Sequence, residues 1–175
     1  MRVLLLVILC LCGGCFAHYP KFDLREPVYV VVSPEYRAEC AKREIARQCI
    51  QSIRAGFEMW FSELAPEDRP KLVIARDAID IESKNEIIFV EYEPNAAYPA
   101  TFRWTERPLA ITIRDVMLGP IAQYFFGHEF GHAFLGRQHE SAPSMMEDGG
   151  SRLRPTAEDL NRLYSRYPYL KRSKK

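Results

Sequence analysis

The chain lacks a charge excess of either sign: 24 Lys and Arg stand against 23 Asp and Glu, a formal net charge of +1. That balance removes the general electrostatic case for nucleic acid as a partner, and the basic end "KRSKK" reads as a solvated terminus. Internal repeats, low-complexity tracts and linker-like stretches are missing as well. With 47% hydrophobic and 27% charged residues, the composition excludes intrinsic disorder and points to one compact domain. Cysteine is scarce. Of five, Cys10, Cys12 and Cys15 crowd the N-terminus, so the body holds only Cys40 and Cys49. No Asp/Gly-rich calcium loop is present.

The first residues break the ordinary pattern. Arg2 precedes an apolar run over 3–12, and "GGCFA" follows. The run is too short for a comfortable membrane span, and the order of basic, apolar and small residues is that of a secretory signal peptide. We expect a signal over 1–17 and a domain over 18–175, placing the mature protein outside the cytoplasm, secreted or periplasmic, with no transmembrane span. Lipid attachment at Cys15 is the lesser alternative. Export would put Cys40 and Cys49 in an oxidising compartment, where two leftover cysteines invite a bond. On one continuous helix their nine-residue spacing would separate them by about 13 Å, against a limit of about 7 Å for a bridge. Pairing therefore requires Cys40 to precede the helix or bend back onto it.

Along the chain, "PVYVVVSP" (27–34) reads as a buried strand ending at Pro34. From about 39 to 64 apolar residues recur at helical spacing, through Ile45, Cys49, Ile53, Phe57, Trp60 and Phe61. Strands are expected over 71–76 and 86–92, and two short ones over 101–106 and 109–114. A helix runs from Gly119-Pro120 to Gly136, and a last one follows Thr156, its expected N-cap. The fold class is α+β: a mixed, twisted sheet packed on a long N-terminal helix and on the histidine-bearing helix, with a C-terminal helix.

The chemistry gathers in "GHEFGHAFLGRQHE" (127–140), which holds three of the four histidines. His128 and His132 are four apart, so on a helix both imidazoles reach one metal from the same side. Glu129 between them reaches a water on the metal, which suits a general base in peptide hydrolysis. A solvated helix face does not explain the pattern, because "YFF" precedes it and "AF" lies within it. A closed structural site would need cysteine or further histidine, and no cysteine lies near.

These residues, with "SAPSMM" after them, resemble the metzincin metalloproteases and among them the matrixin type, whose pattern is HExxHxxGxxH followed by a methionine turn. "AGFEMW" (55–60) resembles that family's first helix and "LRPTAEDLNRLYSRYP" its last, so the likeness covers about 27–168. It implies one catalytic Zn2+ held by His128, His132 and His139, with Glu129 as general base. It also implies Gly136 as the residue that turns the chain out of the helix and Met146 as the turn methionine, Met145 being the alternative.

The chain departs from the family at Leu135, which stands where the family has glycine, so Gly136 and His139 each come one residue late. A helix continued to His139 would carry it about 16 Å from His128. Gly136 must therefore end the helix, and the extra residue turns the exit by about 100° unless a π-bulge absorbs it. The Gly-x-x-His step is kept and the next turn is shorter by one, which favours His139 as third ligand over Glu140. No cysteine-switch segment precedes the first strand, and His18 alone cannot build a second zinc site. The tyrosine of astacin-type relatives is replaced by Glu147 and Asp148 after the turn. The reading is an exported, monomeric zinc endopeptidase acting on peptide or protein substrates. Its substrate edge is expected in 98–104 or the neighbouring hairpin, and its pocket wall in 147–156. A catalytically inactive metzincin-like binding domain is the competing reading, motivated by the displaced His139.

Overall fold

A computed structural model describes residues 21–79, 81–103, 108–136, 139, 144–146 and 153–170. The expected signal peptide and the alternative lipid site Cys15 lie outside these residues. The described elements begin with strand β1 (Val28–Val32), then helices α1 (Pro34–Lys42) and α2 (Ala46–Glu58), closed by a 3₁₀ turn at Met59–Phe61. Strands β2 (Leu72–Ala75), β3 (Ile88–Tyr92), β4 (Ala100–Arg103) and β5 (Leu109–Ile113) follow, and then helices α3 (Gly119–Leu135) and α4 (Ala157–Arg166). The fold is α+β, with a five-stranded mixed sheet in the order β2-β1-β3-β5-β4. β1, β2, β3 and β5 run parallel, and β4 is antiparallel to β5 at the edge.

The single long helix expected over 39–64 is two helices, and the cause is local. Ser33 leaves β1 extended and its side chain accepts the Tyr36 N–H at 3.2 Å, while Pro34 takes the first helical turn. Pro34, read as a strand terminator, therefore starts a helix. α1 ends at Arg43, and Glu44 turns the chain with φ 59° before Ile45 N–H returns to the Cys40 carbonyl at 2.9 Å. That corner brings the Cα atoms of Cys40 and Cys49 to 6.5 Å, and the two are disulfide-bonded. The geometric condition for pairing is met by a chain that doubles back.

Period-two alternation puts Val28, Val30 and Val32 of β1, Ile88 and Val90 of β3, and Leu109, Ile111 and Ile113 of β5 in the core. Opposite them lie Ile53 and Phe57 of α2 and Phe126, Phe130 and Phe134 of α3, all buried. Phe57 meets Phe130 and Phe134 edge-on at 5.4 and 5.7 Å. Each such ring contributes about 1.5–3 kcal/mol by leaving water. α3 is apolar on nearly every side, as a central helix must be. Trp60, just past α2, donates its indole N–H to the Gly127 carbonyl at 2.7 Å, which ties α2 to the turn of α3 that carries His128. Among the described residues no helix is long and apolar enough to cross a membrane.

Candidate metal centre

α3 presents Gly127-His128-Glu129 and Gly131-His132 one turn apart, with both histidines about nine-tenths buried. The helix stays α-helical to Leu135, so no π-bulge absorbs the added residue. Gly136 ends it with φ 105°, ψ −171°, its N–H closing on the His132 carbonyl at 3.0 Å. This is not a left-handed helical cap but positive φ with extended ψ, a region only glycine occupies without strain. The exposed His139 lies against the two helical histidines.

The three rings converge through their Nε2 atoms. His128 to His132 measures 3.2 Å, His132 to His139 3.1 Å, and His128 to His139 3.3 Å. Three nitrogens on one tetrahedral zinc, each at 2.0–2.1 Å, lie about 3.3–3.4 Å apart. The triangle therefore has the size of a three-histidine metal face. His128 Nδ1 lies 2.8 Å from the Met145 carbonyl and His132 Nδ1 lies 3.1 Å from the Gly136 carbonyl. A carbonyl only accepts, so both Nδ1 atoms carry the proton and donate. Both Nε2 lone pairs then face each other and His139, a repulsive arrangement that a cation relieves. The donor set suits a divalent ion of intermediate softness such as zinc. Glu140, the alternative ligand, lies outside the described residues.

Glu129 is 4% exposed, and burial pushes its carboxyl from an ordinary 4.5 up to about 8; the Phe102 backbone N–H pulls modestly the other way. Phe102 belongs to β4, the edge strand, so the carboxyl borders the strand at the rim of the sheet. Met145 and Met146 are both fully buried. Met145 supplies the carbonyl to His128, while the Met146 sulfur packs on Gly131. A Cβ at Gly131 would overlap that sulfur and the Trp60 ring, so a side chain there would push the turn off the helix.

Sequence reasoning overlooked two groups. Arg166 Nη1 and Tyr167 Oη, at the end of α4, donate to the Leu135 and Phe134 carbonyls at 3.1 and 3.3 Å, capping α3 where its own bonding ends. Asp159 and Ser144 bind the methionine turn from below. The run "TAED" after Thr156 signals a helix start, but nothing local signals a reach to Ser144. Most of the expected pocket wall, 147–152, lies outside the described residues. Compared with known proteins, the chain matches no family model and no curated sequence.

Proposed function

We propose that this chain is an exported, zinc-dependent endopeptidase of metzincin type. The observation that carries the reading is the convergence of the three Nε2 atoms, with His139 within 3.3 Å of both helical histidines despite the additional residue. His128, His132 and His139 would hold the ion. Bound zinc would supply Lewis acidity, lowering the pKa of water and polarising a carbonyl. Glu129 takes the proton of the attacking water and passes it to the departing amine. Burial alone keeps this carboxyl protonated up to about 8; a cation bound beside it would favour the ionised form, which is the one that accepts a proton. The exposed side of the site is that of His139, where a substrate has access. β4, with one side free in the described sheet, accepts an extended peptide main chain to main chain. The Cys40–Cys49 bond supports an oxidising compartment, in keeping with a signal over 1–17 and a monomeric secreted product.

The test is zinc content and cleavage of a broad peptide library by the purified chain and by Glu129→Ala. One zinc per chain, with cleavage that falls about 10²–10⁴-fold in the variant, is expected. Stoichiometric zinc without cleavage by the wild type leaves only the binding-domain reading, and absence of zinc removes both.

A further inference from the structure

Asp159 sits at the third position of α4, where an acid completes the capping box with Thr156. That task does not account for its surroundings. The residue is 0% exposed, and a buried carboxylate is tolerated only when its lone pairs are engaged. Oδ2 accepts from Thr156 N–H at 2.8 Å, Thr156 Oγ1 at 2.9 Å and Met145 N–H at 2.9 Å, and Oδ1 accepts from Ser144 Oγ at 2.5 Å. Half of these donors belong to the methionine turn rather than to α4.

The bonds beyond Ser144 lead to the metal site. Ser144 Oγ accepts the Met146 N–H at 2.8 Å. That N–H and the Met145 carbonyl are opposite ends of one peptide group, and the carbonyl accepts His128 Nδ1–H at 2.8 Å. His128 therefore donates to a peptide, the peptide to a hydroxyl, and the hydroxyl to a carboxylate. Every hydrogen in the series points toward the negative charge. Bonds aligned in this way polarise one another in the same sense. A carboxylate bonded directly to a metal-binding histidine fixes its tautomer and raises its basicity.

We infer that Asp159 is a positioning residue for the metal site, acting on His128 as a relayed carboxylate through Ser144 and the Met145–Met146 peptide. The inference rests on the metal-binding reading of the three histidines. It assigns His128 a different support from His132, whose Nδ1 lies 3.1 Å from the Gly136 carbonyl. Loss of the relay weakens the metal through one ligand of three.

The experiment measures zinc affinity by competition with a chromophoric chelator for the wild-type chain, Ser144→Ala, Asp159→Asn and Thr156→Ala. It also records the ¹⁵N shifts of the His128 ring in the metal-free proteins. Ser144→Ala and Asp159→Asn should each weaken zinc about 10- to 100-fold and move the His128 ring toward mixed tautomers. Thr156→Ala, which damages the cap of α4 but leaves the relay, should stay within about twofold. Folded Ser144→Ala and Asp159→Asn proteins with wild-type affinity and unchanged ring shifts overturn the inference while the metal site stands. A wild-type chain that binds no zinc removes the metal reading and the relay together. If Asp159→Asn does not fold, Ser144→Ala decides alone, since it deletes a single hydroxyl.

Discussion

Glu129 and Gly136 are the residues on which the site's chemistry and shape turn. In the metal-free protein, burial holds the Glu129 carboxyl at about 8, while in the unfolded chain it ionises near 4.5. The folded state therefore keeps a proton that the unfolded state has lost between those values. The stability linked to this group is fully present below about pH 4.5, falls as pH rises, and levels off above about pH 8. Glu129→Gln removes the dependence. Thermal unfolding of the metal-stripped proteins should show the variant the more stable at pH 8, by on the order of 2–4 kcal/mol, with the gap closing toward pH 4.5. A gap that widens on acidification contradicts the burial argument. At Gly136, alanine would have to adopt φ 105° and ψ −171°, a strain of about 1–3 kcal/mol. Because the Gly136 carbonyl also faces His132 Nδ1, Gly136→Ala should lower both thermal stability and zinc affinity. A change in stability alone would show that the exit relaxes without disturbing the ring.

Among the elements, legibility followed the range of the interaction. The strands and α3 were readable because alternation and uniform apolarity record burial residue by residue. α4 was readable from Thr156, whose cap is local. The break between α1 and α2 was not, since the stripe of Ile45, Cys49 and Ile53 begins at the corner and lies wholly on the α2 side, so nothing in it marks where α1 ends. Two local signals were present all the same: the Ser33-Pro34 pair that starts α1, and a cysteine pair that cannot bond along one straight helix. The Ser144–Asp159 link had no signal, because it depends on how α4 lies under the methionine turn. In the site, the spacing rule identified His128 and His132, and it left His139 to be decided by the helix exit. The split also makes the disulfide a clasp between two short helices. It closes a nine-residue separation, for which chain entropy predicts about 2–3 kcal/mol. Reduction should lower the midpoint of thermal unfolding by about 5–10 °C, measured with and without a thiol reductant. An unchanged midpoint would mean that the corner at Glu44 holds without the bond.

At the scale of the molecule, the metal would tie His128 and His132 of α3 to His139 and, through Met145, to α4. A ligand that binds only the folded chain stabilises it by mass action, about 4 kcal/mol when present at 1,000 times its dissociation constant. Chelation should then lower the unfolding midpoint by on the order of 10 °C, and added zinc should restore it. Scanning calorimetry before and after chelation checks this, and an unaffected midpoint would argue against a zinc held by all three histidines.

The position of β1 has a consequence for the order of folding. The earliest described strand is interior to the sheet, with Val28 beside Leu72 and Val30 beside both Ile74 and Ile88. Each partner lies tens of residues downstream, so closing these pairs costs loop entropy before it returns any burial, which makes assembly slow. β1 must wait, extended and almost wholly apolar, until β3 has emerged. During synthesis it is thus, among the described strands, the one left longest open to wrong pairing, and a factor guarding the nascent chain would have its first task there.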